Sequence, residues 1–80
     1  MKKPRFYTPP RNQGQIVIVS YAYVDGYVIR QRVDQSDRSV EYAVSRALPD
    51  DDGEYWSAAP KNEDWDPISR EDVIRMMEEQ

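Results

Sequence analysis

The clearest alternation of apolar and polar positions lies between residues 15 and 34. Gln15 to Val24 is a run rich in Ile, Val and Tyr; Asp25-Gly26 interrupts it, and Tyr27 to Val33 resumes it. Asp-Gly between two β-rich runs signals a hairpin, because a two-residue type I′ turn needs φ > 0 at both central positions. Such a loop pairs Val24 with Tyr27, Ala22 with Ile29 and Ile18 with Val33. One face then holds Ile16, Ile18, Ala22, Val24, Tyr27, Ile29 and Val33, and it should cover the core. The opposite face holds Val17, Val19, Tyr21, Tyr23, Val28, Arg30 and Arg32, with Tyr21 opposite Arg30 and Tyr23 opposite Val28.

Residues 36–48 fit two periods. Val40, Ala43, Val44, Ala47 and Leu48 follow the i, i+3, i+4, i+7, i+8 spacing of an amphipathic helix, with Ser36 or Asp37 as cap and Pro49 as stop. Val40, Tyr42 and Val44 also alternate with polar or small residues, as a third strand would. The helical spacing has more matches, so a helix is expected over 36–48. Asp50-Asp51-Asp52-Gly53 reads as a turn, 54–59 as a short strand with Tyr55 and Trp56 on opposite faces, and 60–65 as loop. The C-terminal helix is well marked. Ser69 and Asp72 make a capping-box pattern, with Asp in place of the usual Glu, and Ile68 and Val73 make a hydrophobic staple. Glu71 and Asp72 suit the positive end of the helix dipole. The helix should run over 70–79, with Val73, Met76 and Met77 as its apolar face and Ile74 on the flank.

Pro4, Pro9 and Pro10 block regular pairing in residues 1–14, and Asn12-Gln13-Gly14 is turn-like. This stretch is a basic, Pro-containing arm that Phe6 and Tyr7 could anchor. Residues 15–80 form one domain, as a length of 80 residues requires. The fold class expected is α+β: a small single domain with an antiparallel β-hairpin, extended to three strands if 36–48 is extended, packed against one or two helices.

Composition narrows the chemistry. The chain has no Cys and no His, which removes disulfides, thiol nucleophiles, the usual general base and the commonest metal ligand. Asp50-Asp51-Asp52-Gly53 looks friendly to hard cations, but it lacks the spacing of the D-x-[DN]-x-[DN]-G-x₅-E loop. No phosphate-binding Gly-rich loop and no G-x-S-x-G is present. The chain is therefore expected to be no enzyme, with no cofactor and no metal. No apolar run approaches the roughly 18–20 residues that span a bilayer, and no apolar stretch follows Met1-Lys2-Lys3-Pro4. A cytoplasmic protein, monomeric or weakly oligomeric, is expected.

Charge separates along the chain. Residues 1–49 hold eight Lys/Arg and four Asp/Glu, whereas 50–80 hold three and eleven. Such asymmetry marks electrostatic partner binding, or two ends that attract one another. Two surfaces follow. The first is an acidic patch of Asp50, Asp51, Asp52, Glu54, Glu63, Asp64 and Asp66, with Trp56 and Trp65 inside it; carboxylates pair with Lys and Arg as phosphates do. The second is the hairpin face, Tyr21, Tyr23, Arg30 and Arg32, where aromatics and guanidiniums could meet nucleic acid or simply pack across strands.

The hairpin from Ile16 to Val33 around Asp25-Gly26, the segment Val40 to Leu48 and the acidic second half together resemble small phage-encoded anti-defence proteins, anti-CRISPR proteins in particular. The resemblance is one of architecture and composition and carries no specific motif. It implies a non-enzymatic interaction protein that binds and inhibits a larger, basic nucleic-acid-handling complex, such as a CRISPR surveillance complex, through acidic and aromatic surfaces. The alternative is a small nucleic-acid-binding regulator that uses the Tyr/Arg hairpin face and the basic N-terminal arm.

Overall fold

A computed structural model of the chain describes residues 5–47 and 60–78. It is a small α+β domain: a four-stranded antiparallel sheet in the order β1-β2-β3-β4 with one C-terminal helix. The strands are β1 (Val17–Val24), β2 (Tyr27–Asp34), β3 (Ser39–Arg46) and β4 (Asp66–Ile68), and the helix is α1 (Arg70–Glu78). Among the described residues no helix is long and apolar enough to cross a membrane.

The first hairpin has the expected register, with Val24 opposite Tyr27, Ala22 opposite Ile29, Tyr21 opposite Arg30 and Ile18 opposite Val33. Asp25 at φ 50° and Gly26 at φ 80° supply the two positive dihedrals of the type I′ turn. With no bulge to shift the pairing, the strand residues keep the alternation the turn sets, although Tyr27, expected on the core face, is exposed at the strand end.

The helix expected over 36–48 does not form in its described part, residues 36–47. Gln35–Arg38 is a four-residue turn, and β3 pairs along β2 with Ile29 opposite Val44 and Gln31 opposite Tyr42. Local side-chain bonds build the turn. Asp34 Oδ1 accepts from Ser36 N (3.0 Å) and Ser36 Oγ (2.6 Å), Asp37 Oδ1 accepts from Ser39 N (2.9 Å), and Arg38 takes φ 60°. The helical spacing arose because β3 is covered on both faces at Tyr42–Val44, with the exposed Val40 adding a chance match. Val44 and Tyr42 meet the core under α1, whereas Ala43 is buried on the opposite face. Apolar residues at 40, 43 and 44 therefore mimic a 3.6-residue period on a strand of period two.

The main core lies between the sheet and α1. Ala22, Val24, Ile29 and Val73 are buried together, with Phe6, Val44, Ile68, Met76 and Met77 packed against them. Full burial of Ile29 alone contributes about 1.5–3 kcal/mol. The staple forms, since Ile68 and Val73 share this cluster. Half of the capping box forms. Ser69 Oγ accepts from Asp72 N at 3.1 Å, while the Asp72 carboxylate turns to Arg75 at 3.4 Å. Ile16, expected on the core face, is 66% exposed and precedes β1.

Residues 5–14 of the arm lie against the sheet. Tyr7 N donates to Tyr21 O (2.8 Å) and Tyr21 N to Tyr7 O (2.9 Å), which adds a one-bridge edge to β1. Adjacent residues then project to opposite faces: Phe6 packs on the core near Tyr42, and Tyr7 lies on Tyr21 and Tyr23. Pro9 is buried, Asn12 Nδ2 donates to Val19 O, and Thr8 and Ser20 share a hydroxyl hydrogen bond of 2.7 Å.

Candidate functional site

An arginine-rich groove lies along the edge of β3 that continues past β4. The strand β4 is short for a local reason. Pro67 has no N–H to give a ladder, and Ser69 caps α1 immediately afterwards, so the chain leaves the sheet after Ile68. β4 thus pairs only with Tyr42, Ala43 and Val44. Among the described residues no strand pairs with Ser39–Glu41 on that side.

The groove has a volume of about 870 Å³ and takes side chains from both faces of β3. Arg30, Arg32, Arg38 and Arg70 line it together with Glu41 and Trp65. Arg32 faces Glu41 in the β2–β3 register and pairs with it at 3.7 Å. With side chains 41% and 70% exposed, that pair contributes at most about 1 kcal/mol. Among the described residues no carboxylate pairs with Arg30, Arg38 or Arg70.

Trp65 fixes one wall. Its indole N–H donates to Asn62 O at 3.0 Å, and Asn62 Nδ2 in turn donates to Ser45 Oγ and Arg46 O, both at 2.8 Å. The ring sits 6.2 Å from Tyr21, and the Arg30 guanidinium stacks over it at 4.8 Å. Arg30 is thus a half-buried cation held in one direction by a half-buried aromatic. Burial raises the Tyr21 phenol above its ordinary pKa, and the nearby Arg30 charge opposes that rise.

The hairpin-face residues therefore divide. Arg30 and Arg32 reach the groove, but Tyr21 is buried between Tyr7 and Trp65, and Tyr23 is half-buried against Tyr7. Of the acidic patch, Asp50, Asp51, Asp52 and Glu54 lie outside the described residues, as do Trp56 and the short strand expected over 54–59. Glu63, Asp64 and Asp66 are exposed beside a second, shallower depression, where Arg46 and Lys61 stand among them. Among the described residues no three acids gather to hold a metal ion.

Arg38, Arg70 and Trp65 were missed as members of one site. Arg38 lies in a segment read as helix, Arg70 opens α1, and Trp65 sits in an acidic loop; only the pairing of β3 with β4 brings them together. No protein-family model, no curated protein and no solved structure matches this chain.

Proposed function

We propose that this chain is a non-enzymatic interaction protein that docks an anionic segment of a larger partner in the groove beside β3. The observation that supports this reading is the segregation of charge. In a chain of net charge −4, four guanidiniums converge on one groove, against a single carboxylate among the described residues. One guanidinium is already held by Trp65, so less side-chain freedom is lost on binding. The resemblance to anti-CRISPR proteins makes a nucleic-acid-handling complex the partner class and its inhibition by occupancy the outcome. Docking through the acidic patch has less support, because Glu63, Asp64 and Asp66 share their surroundings with Arg46 and Lys61. Direct nucleic-acid binding has less support too, because Tyr21 and Tyr23 are covered rather than open to bases.

The test compares quantitative capture by the wild-type chain, by R38A/R70A and by E63Q/D64N/D66N. Loss of a captured complex in R38A/R70A alone supports the groove. Loss in the acidic variant alone would move the contact to that surface.

A further inference from the structure

We infer that the open edge of β3 at Ser39–Glu41 is a strand-addition site for an extended acidic peptide, with Arg32, Arg38 and Arg70 as the groups that read its carboxylates. The inference rests on the groove being the docking surface and names what occupies it. Three observations support it. First, the edge is in line with β4: where β4 stops at Ile68, opposite Tyr42, about 10 Å of β3 continues without a described partner. Second, the groove straddles that edge rather than lying on one face of the sheet. Val40 and Tyr42 line it from the α1 side, and Glu41, Ala43 and Arg32 from the other. A strand seated there would send alternate side chains to both sides, which is how strand addition obtains specificity. Third, the charges are spaced rather than continuous. Glu41 stands among the arginines, which disfavours an unbroken phosphate chain but suits a peptide whose carboxylates alternate with other residues. Val40, 48% exposed at this edge, offers an apolar contact to the alternate positions.

A charged edge also discourages indiscriminate pairing. Arg38 and Arg70 would then serve both ends, repelling a basic edge while attracting an acidic strand.

Fluorescence anisotropy on the full chain decides the matter. The probes are a labelled, blocked peptide of alternating Glu and Val, the same peptide with alternate amides N-methylated, and a labelled oligothymidylate. The expected result is binding of the unmodified peptide that weakens at least tenfold on N-methylation, and at least tenfold in R38E/R70E. Both arginines are exposed and have no described carboxylate partner, so this variant should fold, and far-UV circular dichroism verifies that it does. Equal binding of the two peptides, still lost in R38E/R70E, would overturn strand addition while leaving the groove reading intact. Binding of oligothymidylate alone would overturn the peptide as occupant. No binding by any probe would count against both readings.

Discussion

The stack of Arg30 on Trp65 is the feature that makes the groove pre-organised, and a double-mutant cycle measures it. Trp65→Ala removes the ring contact with Tyr21 at 6.2 Å, the indole bond to Asn62 and the platform under Arg30. A fully buried Trp→Ala costs about 3–5 kcal/mol, and half-burial reduces this to about 2 kcal/mol. Arg30→Ala loses the cation–π contact and some packing of its stem, about 1 kcal/mol. If the guanidinium is held by the ring, the two losses overlap, and the coupling is about 1 kcal/mol, between the exposed and the desolvated values for such pairs. The assay is urea unfolding followed by far-UV circular dichroism, since Trp65 itself is removed. With a slope of about 1 kcal/mol/M for a small domain, the coupling appears as a midpoint difference of about 1 M. Additivity of the single losses to within about 0.3 kcal/mol would refute the claim that Trp65 holds Arg30.

Other outcomes follow from the same geometry. Val73→Ala removes two buried methyl-sized groups from the only buried position of α1, so it should cost about 2 kcal/mol and lower Tm by about 8–16 °C in calorimetry. Tyr21 has its phenol pKa raised by burial, so its contribution is intact below the ordinary tyrosine range and is lost as pH climbs toward its folded-state value. Tyr21→Phe should therefore flatten the fall in stability above about pH 10, seen as a smaller drop in the urea midpoint between pH 9 and pH 11. Asp34 has its carboxyl pKa lowered, chiefly by the Ser36 hydroxyl and then by the Ser36 amide, so its contribution is present above the usual carboxylate range and is lost as pH falls through its lowered value. Asp34→Asn should reduce the acid sensitivity of the β2–β3 turn below about pH 4, read as less broadening of the Ser36 amide signal on acidification.

What could be read from the residues was whatever local chemistry decides. Asp25-Gly26 dictated the turn, and with it the register of β1 and β2 and the face of each of their side chains. Ser69, Ile68 and Val73 marked the start of α1 because capping and stapling are short-range. The β3 segment was misread because Tyr42 and Val44 pack toward α1 while Ala43 is buried on the other face, and a single sequence does not show that a strand will be buried twice. β4 escaped notice because Asp66-Pro67-Ile68 has no strand period of its own and pairs only where β3 presents an edge. The groove shared both difficulties. Arg30 and Arg32 were visible on the hairpin, but Arg38, Trp65 and Arg70 join them through the β3–β4 pairing. The covering of Tyr21 by Tyr7 and Trp65 was equally hidden, since it depends on the arm and the loop meeting one face of the sheet.

If the groove beside β3 receives an anionic chain, poly-L-glutamate should bind there, and titration of the ¹⁵N-labelled protein followed by amide chemical shifts at low salt checks it. The predicted result is a set of perturbations centred on Arg38, Val40, Glu41 and Arg70 that fades as salt is raised. Perturbations centred instead on Arg5, Arg11 and Arg46, or none at any residue, would contradict it.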